Sequence, residues 1–249
     1  TAATLAGRER VDIGTQTLNN YDHGLIYSGG DMAIGGQLDA NHLATGQAGT
    51  LNNHSSTLES AGNMAISAGQ INNVNDRFTT ELVTVSNGKI TEYQQSGDPV
   101  RWMAGEPGVF VDRNSSDSLL NLNTPGKTGH NNDRFTQYDY NRTVQETQVK
   151  ESDPAKIIAG GDMAINAGHL LNDKSQVIAG GTLAINAGSV DNVAVPGQRL
   201  TTDVGEVTSY YRIKKKGKDK QGHNATAYTP PTTIQTISLK PSQLIDHGQ

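Results

Sequence analysis

The chain has 249 residues, of which 34% are hydrophobic and 5% aromatic, with 28 glycines, no cysteine and a formal net charge of −5. That balance suits thin stacked layers better than a thick globular core, and its sign excludes the dominant positive field of a nucleic-acid binder or a polybasic membrane-surface protein. Without cysteine there are no disulfides, thiolate zinc sites or cysteine nucleophiles, a composition compatible with export through an oxidising compartment.

Taken in chain order, the first predicted strands are Arg10-Val11-Asp12-Ile13-Gly14 and Thr17-Leu18-Asn19-Asn20. The phrase Gly29-Gly30-Asp31-Met32-Ala33-Ile34 follows, and it recurs as Ala61-Gly62-Asn63-Met64-Ala65-Ile66, Gly160-Gly161-Asp162-Met163-Ala164-Ile165 and Gly180-Gly181-Thr182-Leu183-Ala184-Ile185. Large and small side chains alternate at period two in Met-Ala-Ile, the pattern of a short strand, and the glycine pairs suit sharp corners. Each later copy runs on into Ala-Gly, an apolar position and asparagine, as in Asn166-Ala167-Gly168-His169-Leu170-Leu171-Asn172. A second apolar segment, such as Thr57-Leu58-Glu59 or Gln176-Val177-Ile178, lies between copies. The last two copies begin at Gly160 and Gly180, so the spacing predicts a coil of about 20 residues containing two or three short strands. A unit this short cannot bury its apolar face alone and must stack on its neighbours. The wider spacing between the first two copies predicts a loop around Asp39 to Ala48. The repeats are already running at Thr1, which reads as an internal fragment of a longer protein.

The pattern predicts coils over 1–73, a β-rich excursion over 74–154, coils over 155–192, a second excursion over 193–240 and a return over 241–249. Within the first excursion, Asn87-Gly88 between alternating segments predicts an antiparallel hairpin. Asn75-Asp76-Arg77-Phe78-Thr79 recurs as Asn132-Asp133-Arg134-Phe135-Thr136, and pairing of the two copies would close the excursion at its base. In the second excursion the segment from Val204 to Ile213 reads as a strand, with a bend or bulge at Gly205 and a return strand over Thr232 to Leu239.

The Ala-Gly-Gly-Asp-Met-Ala-Ile-Asn-Ala-Gly phrase with its following asparagine step resembles the haemagglutinin repeats of filamentous haemagglutinins and CdiA-type contact-dependent growth-inhibition proteins. The resemblance covers roughly 7–73 and 155–192, plus the return at 241–247. It implies an all-β, right-handed parallel β-helix bearing two extra-helical β-hairpin arms. It also implies a secreted bacterial cell-surface filament, exported by an outer-membrane two-partner-secretion transporter, that extends toward a target cell for adhesion or toxin delivery.

Two residue columns invite chemistry. Asp31, Asn63, Asp162 and Thr182 share one slot, and Asn20, Asn53, Asn73, Asn172 and Asn192 share another. Capping of turn backbone and amide stacking account for both; a calcium site or a carbohydrate-hydrolysing carboxylate pair is the enzymatic alternative. The seven histidines show no ligand spacing, and no phosphate-loop ending follows the glycine pairs, so neither a metal, a cofactor nor catalysis is expected. Lys214, Lys215, Lys216, Lys218 and Lys220 place five of the eleven lysines within seven residues, beside Tyr210 and Tyr211. They read either as a solvated hairpin tip or as a contact patch for an acidic loop of a receptor protein or for lipopolysaccharide phosphate. Trp102 is the single tryptophan, either a packing anchor or an exposed contact residue. The competing functions are therefore receptor-binding module, filament spacer and carbohydrate-active enzyme.

Overall fold

The structure is a computed structural model that describes residues 2–112, 121–126 and 134–239. All regular elements among these residues are strands. In chain order they begin with β1 (Thr4–Gly7), β2 (Arg10–Gly14), β3 (Thr17–Tyr21), β4 (Leu25–Ser28) and β5 (Asp31–Gly35). A small antiparallel pair, β6 (Gln37–Leu38) and β7 (Ala44–Thr45), forms the loop expected in the widened second coil. The coils continue with β8 (Ala48–His54), β9 (Thr57–Ser60) and β10 (Met64–Val74). The first excursion supplies β11 (Thr79–Gln95), β12 (Arg101–Met103), β13 (Phe110–Asp112), β14 (Asn121–Asn123) and β15 (Phe135–Glu151). Coils resume as β16 (Lys156–Ala159), β17 (Met163–Asp173), β18 (Gln176–Ala179) and β19 (Leu183–Val193), and the second excursion gives β20 (Pro196–Ile213), β21 (Lys220–Tyr228) and β22 (Thr233–Ser238). The chain divides into two compact units, one of 1–81, 148–196 and 238–249, the other of 82–147 and 197–237.

The first unit is a parallel β-helix. One face is the sheet β1-β4-β9-β16-β18, and the remaining faces are built from β2, β5, β10, β17 and β19 with β3 and β8. Identical residues meet rung on rung: Met32, Met64 and Met163 are partners in successive coils, as are Ile13, Ile34, Ile66, Ile165 and Ile185. Leu58, Leu51, Ile71 and Ile157 are fully buried in the same core. Burying an aliphatic side chain is worth about 1.5–3 kcal/mol, so the stacked columns are the main stabilising term of this unit. Toward the last described coil the columns open, with Ile185 40% exposed against 1% for Ile66.

The rung ending at Asn73 stacks directly on the one that follows the first excursion, because β9 pairs with β16 and β10 with β17. Asn75, nearly buried, ties the two ends of that excursion together: its amide nitrogen donates to Ser152 Oγ (3.0 Å) and its side-chain oxygen accepts from the Asp153 backbone N–H (3.2 Å). The glycine corners permit close contact between coils. A Cβ on Gly160 would collide with the Ala61 carbonyl oxygen of the coil beneath.

The second unit is an antiparallel sheet in the order β12-β11-β15-β20-β21, with β22 also paired to β20. Both excursions thus enter one sheet: residues Phe135–Glu146 of β15 pair with Arg199–Tyr210 of β20. Three expectations from sequence are corrected here. Asn87-Gly88 makes no turn, because β11 runs unbroken from Thr79 to Gln95 with β15 along it, and a long partner strand outweighs a local turn preference. The two Asn-Asp-Arg-Phe-Thr phrases do not pair with each other either. Phe78 lies near Lys174, whereas Phe135 pairs with Tyr210; Asn132 and Asp133 lie outside the described residues. Gly205 sits in regular register opposite Tyr140 rather than in a bulge, and a Cβ there would meet the Asp139 carbonyl oxygen. The second excursion contains β21 as well as its expected return strand, since the lysine run ends in a turn that doubles β20 back on itself. The return segment over 241–249 lies outside the described residues, as do His130 and His247.

Candidate functional site

The polar columns of the β-helix are fully committed to holding coils together. Asp31 Oδ1 accepts the Asn63 backbone N–H at 2.8 Å, Asn63 Oδ1 accepts that of Asp162 at 2.8 Å, and Asp162 Oδ1 accepts that of Thr182 at 2.7 Å. Each side chain therefore caps the corner of the next coil. Inside the helix, Asn20, Asn53, Asn73, Asn172 and Asn192 form an amide ladder with links of 3.0, 2.8, 2.8 and 2.8 Å. Backbone carbonyls at the turns, such as those of Thr57, Lys156 and Gln176, accept from the same amide nitrogens. At the first coil, Arg10 forms a hydrogen-bonded ion pair with Asp12 that holds the Asp12 carboxyl below its usual range, with the Ala44 backbone N–H adding to the effect. Among the described residues, no group of three His, Asp or Glu side chains is placed to hold a metal ion.

The sheet unit carries a different chemistry on each face, because successive side chains of a strand alternate. On one face, Trp102 is the partner of Tyr93, whose ring lies edge-on to Phe135 with centroids 6.4 Å apart. Phe135 stacks on Tyr210 at 4.7 Å, and Tyr210 lies 5.7 Å from His223 across the β20–β21 pair. Four rings from neighbouring strands, Tyr93, Phe135, Tyr210 and His223, thus form a cross-strand row, with Trp102 beside Tyr93 by register. Phe135 is buried at its centre, while His223 at its end is exposed. Trp102 is half-buried at the opposite end.

On the other face, the Arg101 guanidinium lies 3.7 Å from the Tyr138 ring centre and donates to the Tyr228 hydroxyl at 3.0 Å. Arg142 grips Asp203 with two bonds of 2.8 Å, which raises the Arg142 pKa, and donates to the Tyr140 hydroxyl at 3.3 Å. Burial, with the Glu92 carboxylate beside it, pushes the Tyr140 phenol up to about 12.

The lysine run forms the turn between β20 and β21. Ile213 pairs with Lys220, the four lysines Lys214, Lys215, Lys216 and Lys218 are exposed in the loop, and Gly217 takes φ +108°. Asp219 fixes the stem: it accepts from Arg212 Nε at 2.6 Å and from the Lys215 backbone N–H at 3.1 Å. The Lys215 N–H and then Arg212 hold the Asp219 carboxyl below its ordinary value.

The residues singled out from sequence are therefore sorted by the structure. Tyr210 shares a face with Trp102 and lies three residues from the strand end that leads into the lysine tip. Tyr211, its chain neighbour, points the opposite way, with its hydroxyl against the Gly222 backbone. Tyr228 pairs with Gly205 at the far end of β21 and belongs to the Arg101 cluster. Sequence reasoning missed Tyr93, Phe135, His223, Arg212 and Asp219. Their signal lies in the turn position: folding β20 onto β21 about Gly217 brings Tyr210 opposite His223 and Arg212 opposite Gln221.

A stacked parallel β-helix with its corners capped coil to coil, in a chain whose excursions form a separate antiparallel sheet, defines a β-solenoid. The haemagglutinin-repeat family model matches residues 1–91 and 137–204, more than half of the chain, and the chain belongs to that family. It is accordingly a segment of filamentous adhesin type, from a family typical of secreted surface filaments. No curated protein and no solved structure matches the chain.

Proposed function

We propose that this chain is a non-catalytic, contact-making segment of an exoprotein filament, exported across the outer membrane by a two-partner-secretion transporter. The β-helix extends the filament from the cell, and the inserted sheet engages a receptor protein or lipopolysaccharide on a target cell for adhesion or contact-dependent toxin delivery. The observation that supports the reading most is the contrast within one chain. Rungs on either side of the first excursion stack without a gap, so the excursion is not needed to complete the coil, yet it helps build a sheet with an aromatic row and an exposed lysine tip. Large surface features that add nothing to a repeat are where recognition resides in repeat proteins. The carboxylates of the corner column act as backbone caps, which speaks for a structural rather than hydrolytic use.

The test is competition. Purified chain added to target cells is expected to bind saturably and to reduce attachment of bacteria displaying the full exoprotein. Unchanged attachment at saturating chain would sink the contact role and leave the segment a spacer.

A further inference from the structure

The tip between β20 and β21 holds five lysines and one aspartate from Lys214 to Lys220, on a chain whose net charge is −5. The lysines are exposed, whereas Asp219 is turned onto the stem by Arg212 and the Lys215 N–H. Arg134, just before β15, braces the same stem by donating to the Arg212 carbonyl oxygen at 3.1 Å. The loop thus presents ammonium groups outward while its one carboxylate is used for positioning.

Resting on the contact role above, we propose that this tip binds the phosphate groups of a target-surface saccharide, with Asp219 as the positioning residue of the loop. Three observations select that partner. The opposing sign makes it anionic. The nearby Arg212 fork, which would match a carboxylate or a phosphate bidentately, is occupied by Asp219, leaving compact ammonium groups that donate to phosphate oxygens in many directions. Finally, the exposed His223 ring lies next to Tyr210 on one face of the sheet beside the tip, and an exposed flat ring of this kind packs against the carbon face of a pyranose. Bare phospholipid headgroups would make no use of it.

The whole chain is immobilised and offered rough lipopolysaccharide with its phosphates intact, the same material after chemical dephosphorylation, and phosphatidylglycerol vesicles. The intact saccharide is expected to bind about tenfold tighter than either other probe, with affinity falling as salt rises. Replacing Lys214, Lys215, Lys216 and Lys218 together with Gln is expected to cost about tenfold in affinity with an unchanged Tm, since exposed charges contribute little to folding. His223→Ala should cost about threefold. Asp219→Asn separates positioning from charge. Removal of a negative charge alone would tighten anion binding, whereas a loosened loop weakens it and speeds amide exchange over 214–218. Equal binding of the dephosphorylated saccharide or of the vesicles overturns the saccharide-phosphate assignment. Tighter binding by Asp219→Asn with unchanged exchange overturns the positioning role. Cell attachment that persists without any dependence on phosphate removes this partner and leaves the contact role standing. Phosphate-dependent binding of the probe without cell attachment does the reverse.

Discussion

The two units solve the same problem, covering backbone and apolar surface, by opposite means. In the β-helix the repeated columns stack like on like: methionine on methionine, isoleucine on isoleucine, asparagine on asparagine. In the sheet, each strand meets a different sequence, so Phe135 opposes Tyr210, Arg142 opposes Asp203, and Tyr140 opposes Gly205. Stacking like on like demands only that a motif be repeated, and the outward positions stay free to vary. Pairing unlike with unlike demands that both excursions be present together. The lesson is that the excursions are half-domains which complete each other, while the coils need only the coil on either side.

The largest effect follows from that difference. A chain lacking 76–152 and ending at Ala194 loses both halves of the sheet and is expected to remain soluble, with β-type circular dichroism and a cooperative melt. A chain lacking 76–152 alone keeps β20 but strips it of β15, its partner from Arg199 to Tyr210, and is expected to aggregate. Equal solubility of the two would show that the halves do not depend on each other.

Within the β-helix, two neighbouring asparagine ladders of the same chemistry separate burial from repetition. Asn73 is fully buried and donates to Asn172 Oδ1 and to the Gln176 carbonyl at 2.8 and 2.9 Å. Asn73→Ala orphans both acceptors, at about 1–3 kcal/mol each, so chemical denaturation should report a loss of roughly 2–6 kcal/mol. Asn72 belongs to the outward ladder, donating to Asn52 at 2.8 Å in a partly exposed setting. Water replaces that bond, and Asn72→Ala should change stability by about 0.5 kcal/mol or less. Similar losses at both positions would mean that the ladder works by register alone.

The same contrast explains what was legible in the sequence. Columns led by Met32, Ile34 and Asn53 could be read directly, because a motif that recurs at coil length names its own neighbours. The capping role of Asp31 and Asp162 was legible for the same reason. In the sheet nothing recurs, and Asn87-Gly88 offered the strongest local signal while the pairing of β11 with β15 lay far along the chain. The candidate site was half visible. Lys214 to Lys220 stood out as composition, but the alternation that separates Tyr210 from Tyr211, and the role of Asp219 within a run of lysines, follow only from the β20–β21 register.

The smallest effect tests whether the unlike pairs of the sheet are held as tightly as the columns of the β-helix. Tyr140 is 3% exposed, and burial beside Glu92 raises its phenol to about 12. An unfolded tyrosine ionises near 10. As pH rises past that value the unfolded chain loses its proton while the folded chain keeps it, so the unfolded state is favoured progressively until Tyr140 itself ionises. The contribution is fully present below about pH 10 and lost between about pH 10 and 12, at roughly 1.4 kcal/mol per unit, or about 2–3 kcal/mol in all. Tyr140→Phe removes the ionisation and forgoes the hydroxyl's hydrogen bond to Glu92 together with the 3.3 Å bond from Arg142, whose guanidinium keeps both contacts to Asp203. The variant should therefore lie below the parent by about 1–3 kcal/mol at pH 8, and that gap should narrow by about 2–3 kcal/mol by pH 12. Denaturant titrations followed by Trp102 fluorescence, a reporter that sits within the sheet, measure both limbs. Parallel pH curves for the two proteins would show that the phenol is reached by water in the folded state, and that the sheet is looser than its side-chain bonds indicate.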